Sequence, residues 1–266
     1  MKQLVIIGAG GFGREVLDWA RQSEACGRDW LVKGFIDDNP RALDAGPADA
    51  PWLGPILGHV PAADEVFICA IGQVAAKRRC VKEVRRNGGV FTRVIHRTAV
   101  VGSEVELGEG VILCPHSVVT SRARLGAFVA VNLHSTVAHD AVVGDWCQLH
   151  CHVDVTGGVV IGEGVLVGSH ASILPGVKVG AGAVIGAGSV VMREVAAGTT
   201  VFGSPARPYA AAAPQETAAR VTEGAAARAG DAAARVTESA EDRAGDAAAR
   251  VTEGAEDRAG ERTNHG

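Results

Sequence analysis

The stretch IHRTAV-VGSEVE, from Ile95 to Glu106, opens a six-residue repeat that continues without insertion to Ala196. All 17 hexads begin with Ile, Leu or Val, and the fifth residue of each is Ala, Ser, Cys or Val. A triangular coil of three hexads needs an aliphatic side chain inside each short strand and a small residue near each corner. The repeat therefore predicts a left-handed parallel β-helix over residues 94–209. Residues three hexads apart are expected to stack at the strand spacing of about 4.8 Å.

Residues 1–93 follow a different pattern, in which short apolar runs alternate with helical segments. The predicted strands cover 4–7, 33–36 and 66–71, and the predicted helices cover 14–25 and 74–86. The segment 39–63 is rich in Pro, Gly and Ala and is interpreted as a loop. Strands that alternate with helices indicate parallel βαβ units, so we predict a small α/β domain resembling half of a Rossmann fold.

The composition changes abruptly over residues 210–266. Arg-Val-Thr-Glu recurs at Arg220, Arg235 and Arg250, while Ala, Arg, Asp, Glu and Gly dominate. Such a segment buries too little apolar surface to offset the entropy of ordering the chain. We interpret it as a low-complexity, disordered tail. A weak coiled coil is the alternative, which the glycine in each repeat disfavours.

Charge and cysteine content narrow the function classes. The 266 residues carry 26 Lys and Arg and 30 Asp and Glu, for a formal net charge of −4. This balance argues against nucleic acid as the main partner, because phosphate binding needs a basic face. We find neither a membrane-spanning apolar run nor a cleavable signal pattern. The 6 cysteines include no C-x-x-C pair, so we expect a cytoplasmic protein that does not bind membranes.

A glycine-rich loop, Gly8-Ala-Gly-Gly-Phe-Gly13, lies between the first predicted strand and the first predicted helix. Glycines let a phosphate approach the backbone, and the helix N-terminus offers unpaired N–H groups. Asp37 ends the second predicted strand, where a carboxylate could accept a ribose hydroxyl. Because only one mononucleotide-binding half precedes the β-helix, we expect a single nucleotide, such as the carrier of a sugar, rather than NAD. A glycine-rich turn without a ligand is the alternative.

His139 and Asp140 lie at a predicted corner of the β-helix, where a second subunit could close a groove over them. A histidine beside a carboxylate can act as a general base near neutral pH. Gly157 is predicted one coil above His139, so its N–H would lie near a group attacked by the nucleophile that His139 deprotonates. A surface histidine on a turn is the alternative interpretation.

A second group of histidines is spaced by three hexads and is predicted to form a ladder on one corner. Its members are His116, His134, His152 and His170, with Asn132 and His150 forming a shorter stack beside it. Stacked imidazoles could bind a metal ion, or they could line a seam between subunits as neutral hydrogen-bonding groups. The seam is the preferred interpretation.

Several motifs together define a resemblance over residues 1 to about 209. They are the glycine-rich loop, the uninterrupted hexads, Asn-x6-His-Asp ending at Asp140, Val-Val-Gly-Asp145, and the closing Val201-Phe-Gly-Ser-Pro-Ala-Arg207. With these motifs the chain resembles the sugar acyltransferases that include sialic-acid O-acetyltransferases and the sugar-nucleotide N-acetyltransferases of the bacillosamine and perosamine pathways. The resemblance implies acetyl-CoA-dependent acetylation of a nucleotide-linked, amino sugar, with sialic-acid-type O-acetylation as the alternative. It also implies a homotrimer with active sites between subunits.

The resemblance assigns roles to residues of this chain. His139 would take a proton from the acceptor, Asp140 would raise its basicity, and Gly157 would contact the thioester oxygen. Ser169 and Ala187 would bind the pantetheine arm of acetyl-CoA through their backbones. The implied sugar-nucleotide site consists of Gly10, Gly11, Phe12, Asp37, Asp38 and Gly72. No metal is expected.

Three features depart from the family pattern. Phe12 stands where the bacillosamine-type enzymes have a histidine, and Gln148 stands where a second active-site histidine often lies. His150 or His152 could replace that histidine, although both lie at other positions in the register. The repeats of the C-terminal tail have no counterpart in the family pattern.

Two alternative functions belong to other classes of protein. The pair His134 and His139 matches the spacing of zinc ligands in γ-class carbonic anhydrases, which are also β-helix trimers, and His116 could supply a third ligand. Those enzymes carry an upstream Arg-Gly-Asp segment and lack an N-terminal nucleotide domain, so the acyltransferase is favoured. A non-catalytic binder of nucleotide sugars is the other alternative.

Overall fold

The computed structural model describes residues 1–44 and 49–209. The tail predicted for residues 210–266 lies outside the described residues. Met1–Ala210 form one unit, in which an α/β region precedes a parallel β-helix. Within the described part of the chain, no helix is long and apolar enough to cross a membrane.

The N-terminal region is a parallel sheet of four strands in the order β3-β2-β1-β4. Its strands are β1 (Lys2–Ile7), β2 (Trp30–Ile36), β3 (Trp52–Gly54) and β4 (Glu65–Cys69), and its helices are α1 (Gly11–Arg21) and α2 (Val74–Arg86). The direction of strand addition reverses at β1, because β2 pairs on one side of it and β4 on the other. Ligands of open α/β sheets bind outside the carboxyl ends of strands at such a switch point.

The predicted strands and helices are present with shifted bounds: α1 ends at Arg21 rather than 25, β2 begins at Trp30 rather than 33, and β4 ends at Cys69 rather than 71. Two differences have a local cause. The segment interpreted as a loop contains β3, a three-residue edge strand that pairs with the end of β2. Its shortness and the flanking Pro51 hide it from pattern analysis. Helix α1 begins at Gly11, before the predicted start, because Gly10 already has an extended N-cap conformation. Glycine has poor intrinsic helix propensity, so the prediction placed the start too late. Only glycine fits at Gly13, where a Cβ would collide with the carbonyl oxygen of Gly8.

The β-helix is built from two-residue strands, one in each hexad. These strands are β5 (Val94–Ile95), β6 (Val100–Val101), β7 (Glu106–Leu107), β8 (Ile112–Leu113), β9 (Val118–Val119), β10 (Arg124–Leu125), β11 (Ala130–Val131), β12 (Thr136–Val137), β13 (Val142–Val143), β14 (Gln148–Leu149), β15 (Asp154–Val155), β16 (Val160–Ile161), β17 (Leu166–Val167), β18 (Ser172–Ile173), β19 (Lys178–Val179), β20 (Val184–Ile185) and β21 (Val190–Val191). The chain continues as β22 (Thr200–Phe202) and β23 (Arg207–Pro208), which form an antiparallel pair.

Three sheets form the sides of the triangular coil. We call the sheet that contains β5, β8, β11, β14, β17, β20, β22 and β23 face 1. Face 2 contains β6, β9, β12, β15, β18 and β21, and face 3 contains β7, β10, β13, β16 and β19. Val137 pairs with Val119 below and Val155 above, which is the predicted register of three hexads. The left-handed parallel β-helix is thereby confirmed.

The corners force an unusual backbone conformation. The fourth residue of most hexads is left-handed, and nine of these positions hold a residue other than glycine, with φ between 57° and 66°. A non-glycine residue in this region costs roughly 1 kcal/mol. The cost is offset by the continuous interior, in which the aliphatic that opens each hexad is buried from Val119 to Val191.

The N-terminal region packs on face 1. Leu4, Ile6 and Trp30 share one apolar cluster with Ile112 and Ala130, which point outward from that face. Next to it, α2 packs on the corner between faces 3 and 1. There, Phe128 and Trp146 stack with ring centroids 4.4 Å apart, and Arg78 lies 5.4 Å from the Trp146 ring.

Candidate active site

His139, Asp140 and Arg122 form a hydrogen-bonded group on the corner between faces 2 and 3. Nδ1 of His139 lies 2.8 Å from Oδ2 of Asp140. Arg122 lies one coil below Asp140 and donates from Nε to Oδ1 at 2.8 Å and from Nη2 to Oδ2 at 3.1 Å. An imidazole whose Nδ1 donates to a carboxylate keeps Nε2 free to accept a proton. The group is therefore arranged as a general base with an orienting carboxylate.

Electrostatics keep the orienting carboxylate charged. Hydrogen bonds from Arg122 and then from His139 lower the pKa of Asp140 to about 2. The side chains of His139 and Asp140 are 63% and 44% exposed in the single chain. A base this exposed on a convex corner is not shielded from water, so another surface is needed to enclose substrates.

Gly157 lies directly over the His139 ring, as the register predicts. A Cβ at Gly157 would come within 2.7 Å of both Cε1 and Nε2 of His139. Only a residue without a side chain leaves the imidazole in this position. The ring is therefore bonded to the carboxylate of Asp140 and occupies space that is free only because residue 157 is glycine.

The three residues assigned to acetyl-CoA share one backbone feature. The N–H groups of Gly157, Ser169 and Ala187 donate to no acceptor among the described residues. At each of these corners, the hydrogen bond to the coil below is donated by the N–H of the following residue. They lie on two different corners, however. Gly157 lies on the corner between faces 2 and 3, whereas Ser169 and Ala187 stack on the corner between faces 1 and 2.

The predicted nucleotide site lies at the carboxyl edge of the N-terminal sheet. Asp37 follows β2, and its carboxylate accepts hydrogen bonds from the N–H of Ala9 and the N–H of Asn39, both at 2.8 Å. Asp38 accepts from the N–H groups of Ile56 and Leu57 at 2.9 and 3.0 Å. Both carboxylates therefore brace the loops around the site, and each keeps lone pairs for a ligand.

Open space surrounds three glycines of this edge. A Cβ at Gly10, Gly11 or Gly72 would meet no atom within 4 Å, and none of the three has a positive φ. Neither packing nor backbone conformation explains these glycines, whereas close approach of a ligand does. Phe12, the departure from the family pattern, packs edge-on against Trp19 at 6.1 Å and is half-buried.

The nucleotide edge and His139 lie on different sides of the β-helix. The N-terminal region covers face 1, and Phe12 belongs to the same apolar cluster as Leu133, next to the corner between faces 1 and 2. His139 lies on the corner opposite face 1. The nucleotide edge and His139 therefore do not meet within one chain.

The histidine ladder is present on the corner between faces 1 and 2. Its ring centroids are 5.0, 5.0 and 4.6 Å apart from His116 to His170, and the rings are within 14° of parallel. His134 and His139 lie on different corners, so one chain does not bring together the zinc-ligand pair considered above. Among residues 1–44 and 49–209, no three His, Cys, Asp or Glu side chains form a group that could hold a metal ion.

Two contacts were not predicted from the sequence. Arg122 was overlooked, although the register that places Gly157 above His139 also places Arg122 below Asp140. Gln148 is 2% exposed and accepts a hydrogen bond from the buried Lys77 ammonium at 3.0 Å. It therefore contacts α2 rather than the corner that carries His139, and no local pattern could have indicated this.

A β-helix of hexapeptides with a His–Asp pair at one corner and an α/β region at its N-terminus is the architecture expected of a hexapeptide-repeat acyltransferase. Two family models match the chain: the PglD N-terminal domain over residues 3–84 and the bacterial transferase hexapeptide over residues 158–193. No curated protein sequence matches it significantly.

Three solved structures are each matched by this chain over nearly their own whole length. WeeI from Acinetobacter baumannii AYE is 30% identical with a TM-score of 0.70, and the match covers 79% of this chain and 100% of that one. PerB from Caulobacter crescentus, solved with CoA and GDP-perosamine, is 29% identical with a TM-score of 0.71 and coverages of 79% and 98%. The acetyltransferase domain of PglB from Neisseria gonorrhoeae FA1090, solved with acetyl coenzyme A, is 26% identical with a TM-score of 0.71 and coverages of 78% and 99%.

The chain belongs to the left-handed β-helix family of sugar acyltransferases with a PglD-type N-terminal domain, and it is an acyltransferase. The resemblance stated from the motifs is thereby confirmed.

Proposed function

We propose that the protein transfers an acetyl group from acetyl-CoA to a nucleotide-linked amino sugar, with His139 as the general base. The proposal rests on the position of the His139 imidazole. Its Nδ1 is bonded to Asp140, and its Nε2 edge lies against Gly157, whose N–H has no acceptor among the described residues. A base and a backbone donor side by side match the needs of attack on a thioester.

In this reaction the sugar amine attacks the thioester carbonyl carbon directly. Nε2 of His139 takes the proton that the nitrogen loses, and the N–H of Gly157 donates to the carbonyl oxygen as negative charge develops. The carbon–sulfur bond then breaks, and His139 returns the proton to the CoA thiolate. No metal takes part, and no acyl-enzyme forms. The amine as acceptor is supported by PerB, whose structure contains GDP-perosamine.

We propose that a homotrimer assembles the complete site. The nucleotide edge, Ser169 and Ala187 lie towards the corner between faces 1 and 2, whereas His139 and Gly157 lie on the next corner. Contact between these two corners of neighbouring copies would join both halves of the site and shield the exposed base. Acetyl-CoA would run between the copies, with Ser169 and Ala187 along its pantetheine arm. Gly10, Gly11, Phe12, Asp37, Asp38 and Gly72 would hold the sugar nucleotide.

The free cysteines and the proposed substrates bear on the compartment in which the protein works. All 6 cysteines are free thiols, which suits a reducing compartment. Acetyl-CoA and nucleotide sugars are substrates of cytoplasmic biosynthesis. We therefore propose a cytoplasmic enzyme that modifies sugars for polysaccharide assembly.

Release of CoA thiol from acetyl-CoA tests the function. The acceptor panel contains 4-amino sugars linked to UDP, dTDP and GDP, matched hydroxyl sugars and free sialic acid. Release with one amino sugar, lost in His139→Asn and retained in the control His134→Asn, supports the proposal. Release with hydroxyl sugars or sialic acid only would replace it with O-acetylation. Ping-pong kinetics would contradict direct transfer.

A further inference from the structure

We propose that Arg122 is a positioning residue of the acyl transfer: its two-point ion pair orients Asp140 and, through Asp140, sets the orientation and charge state of His139. The inference rests on the proposed function, because it assigns His139 the role of base. It concerns a residue that neither the family motif nor the register analysis singled out.

Arg122 and Asp140 form an ion pair with two hydrogen bonds. Arg122 donates to both oxygens of Asp140, at 2.8 and 3.1 Å, in the planar fork geometry that lysine cannot reproduce. Oδ2, the oxygen that accepts from Arg122 Nη2, is also the oxygen 2.8 Å from Nδ1 of His139. The guanidinium therefore fixes the plane of the carboxylate, and the carboxylate fixes the imidazole against Gly157.

Arg122 lies in a column of charged residues on this corner. Glu104, Arg122 and Asp140 follow each other at one-coil intervals, with left-handed φ values of 58°, 57° and 62°. This column alternates negative, positive and negative charge. Arg122 is therefore attracted by carboxylates in both directions along the column, and its hydrogen bonds are to Asp140.

Arg122 has two opposing effects on His139. By orienting Asp140 it strengthens the contact that favours the imidazolium, and by its own positive charge it disfavours the imidazolium. The other charged groups near this corner are Asp154 on face 2, Glu106, Arg124 and Lys178 on face 3, and Arg193 and Glu194 further along the corner, after β21. Asp154 is bonded to Thr136, and none of the six is bonded to His139 or Asp140. Arg122 is thus the cation coupled to the base.

The test compares Arg122→Gln and Arg122→Lys with the wild-type enzyme. Arg124→Gln serves as a control, because Arg124 forms no ion pair among the described residues. We expect Arg122→Gln to lower kcat about tenfold and to displace the acid limb of the kcat/KM profile by about 0.5 pH unit, in the direction set by whichever of the two opposing effects is larger. KM for acetyl-CoA should stay within about twofold. Arg122→Lys should keep the acid limb in place and restore kcat only partly.

Three results would overturn the proposal. A raised KM for acetyl-CoA with unchanged kcat and acid limb would make Arg122 a cofactor-binding residue. Loss of activity in proportion to loss of folded trimer would make its role structural. An identical pH profile in Arg122→Gln would remove the coupling to the base.

A titration separates this inference from the proposed function. The 13Cε1 signal of His139, assigned with His139→Asn, is followed by NMR against pH in the wild type and in Arg122→Gln. A difference of about 0.5 pH unit between the midpoints supports the coupling even if no acceptor is acetylated. Equal midpoints would refute it whatever the activity.

Discussion

The imidazole of His139 occupies the space that a Cβ of Gly157 would need, with Cε1 and Nε2 both 2.7 Å from that position. Gly157→Ala should therefore displace the ring from its site. We expect kcat to fall by about tenfold to a hundredfold, because the base loses its alignment with the thioester. The free energy of unfolding should change by less than about 1 kcal/mol, since the exposed ring can rotate away.

Ser103→Ala is the matched control for this substitution. Ser103 lies in the same column, three coils below Gly157, where no imidazole is involved. Steady-state kinetics and urea denaturation of both variants separate loss of alignment from loss of fold. A Gly157→Ala enzyme with wild-type kcat would show that the ring position is unimportant.

Asp37 links the glycine-rich loop to the segment that follows β2. Its two oxygens accept from Ala9 and Asn39, and an amide can supply only one acceptor oxygen. In Asp37→Asn, one backbone N–H loses its partner and the loop shifts. We expect KM for the nucleotide sugar to rise about tenfold or more, while KM for acetyl-CoA is unchanged. Initial-rate kinetics test this, with the exposed Asp18→Asn on α1 as the control. An unchanged KM for the sugar nucleotide would place that ligand elsewhere.

The β-helix was more predictable than the contacts made upon it. The hexad register alone places Gly157 above His139 and stacks His116 with His134, because each coil repeats the one below. The same arithmetic reaches Arg122, so that residue was accessible to the sequence. Strand β3 was not accessible, because it is only three residues long and follows Pro51. The burial of Gln148 was not accessible, because it depends on which outer face the N-terminal region covers. That choice is made by shape and apolar area between segments distant in the sequence.

The histidine ladder makes the assembly sensitive to pH if it lines the seam between subunits. Neighbouring rings lie 4.6–5.0 Å apart, and imidazole is the side chain whose charge ordinarily changes between pH 5 and 8. Charges at this separation repel. We expect the dissociation constant of the trimer to rise at least tenfold between pH 7.5 and 5.5, measured by sedimentation velocity.

The control for the ladder replaces all four residues by asparagine, which tolerates the left-handed corner conformation. The substitutions are His116→Asn, His134→Asn, His152→Asn and His170→Asn. This variant should form a trimer whose stability no longer depends on pH in that range. Equal pH dependence in both proteins would place the ladder outside the seam.

Lys77 should make the stability of the fold depend on pH in the alkaline range. Lys77 is 1% exposed, and the acceptors of its ammonium among the described residues are two neutral oxygens, those of Phe128 at 3.3 Å and Gln148 at 3.0 Å. Burial lowers the pKa of Lys77. At a pH between the folded and unfolded pKa values, the unfolded chain therefore binds more protons than the folded chain. Stability contributed at this site then rises with pH.

Lys77→Met retains the apolar stem and removes the charge, so it isolates this effect. We expect the free energy of unfolding of the wild type, relative to Lys77→Met, to increase from pH 7 to pH 9.5 in urea denaturation. Burial raises the pKa of Cys69 and of Cys147, the two thiols that interact with this ammonium, to about 12, so neither ionises in the folded chain over this range. Ionisation of thiols in the unfolded chain is common to both proteins. The exposed Lys82→Met on the same helix should show no such trend. A relative stability that falls with pH would mean that the ammonium is favoured in the folded state, through a partner stronger than the two neutral oxygens.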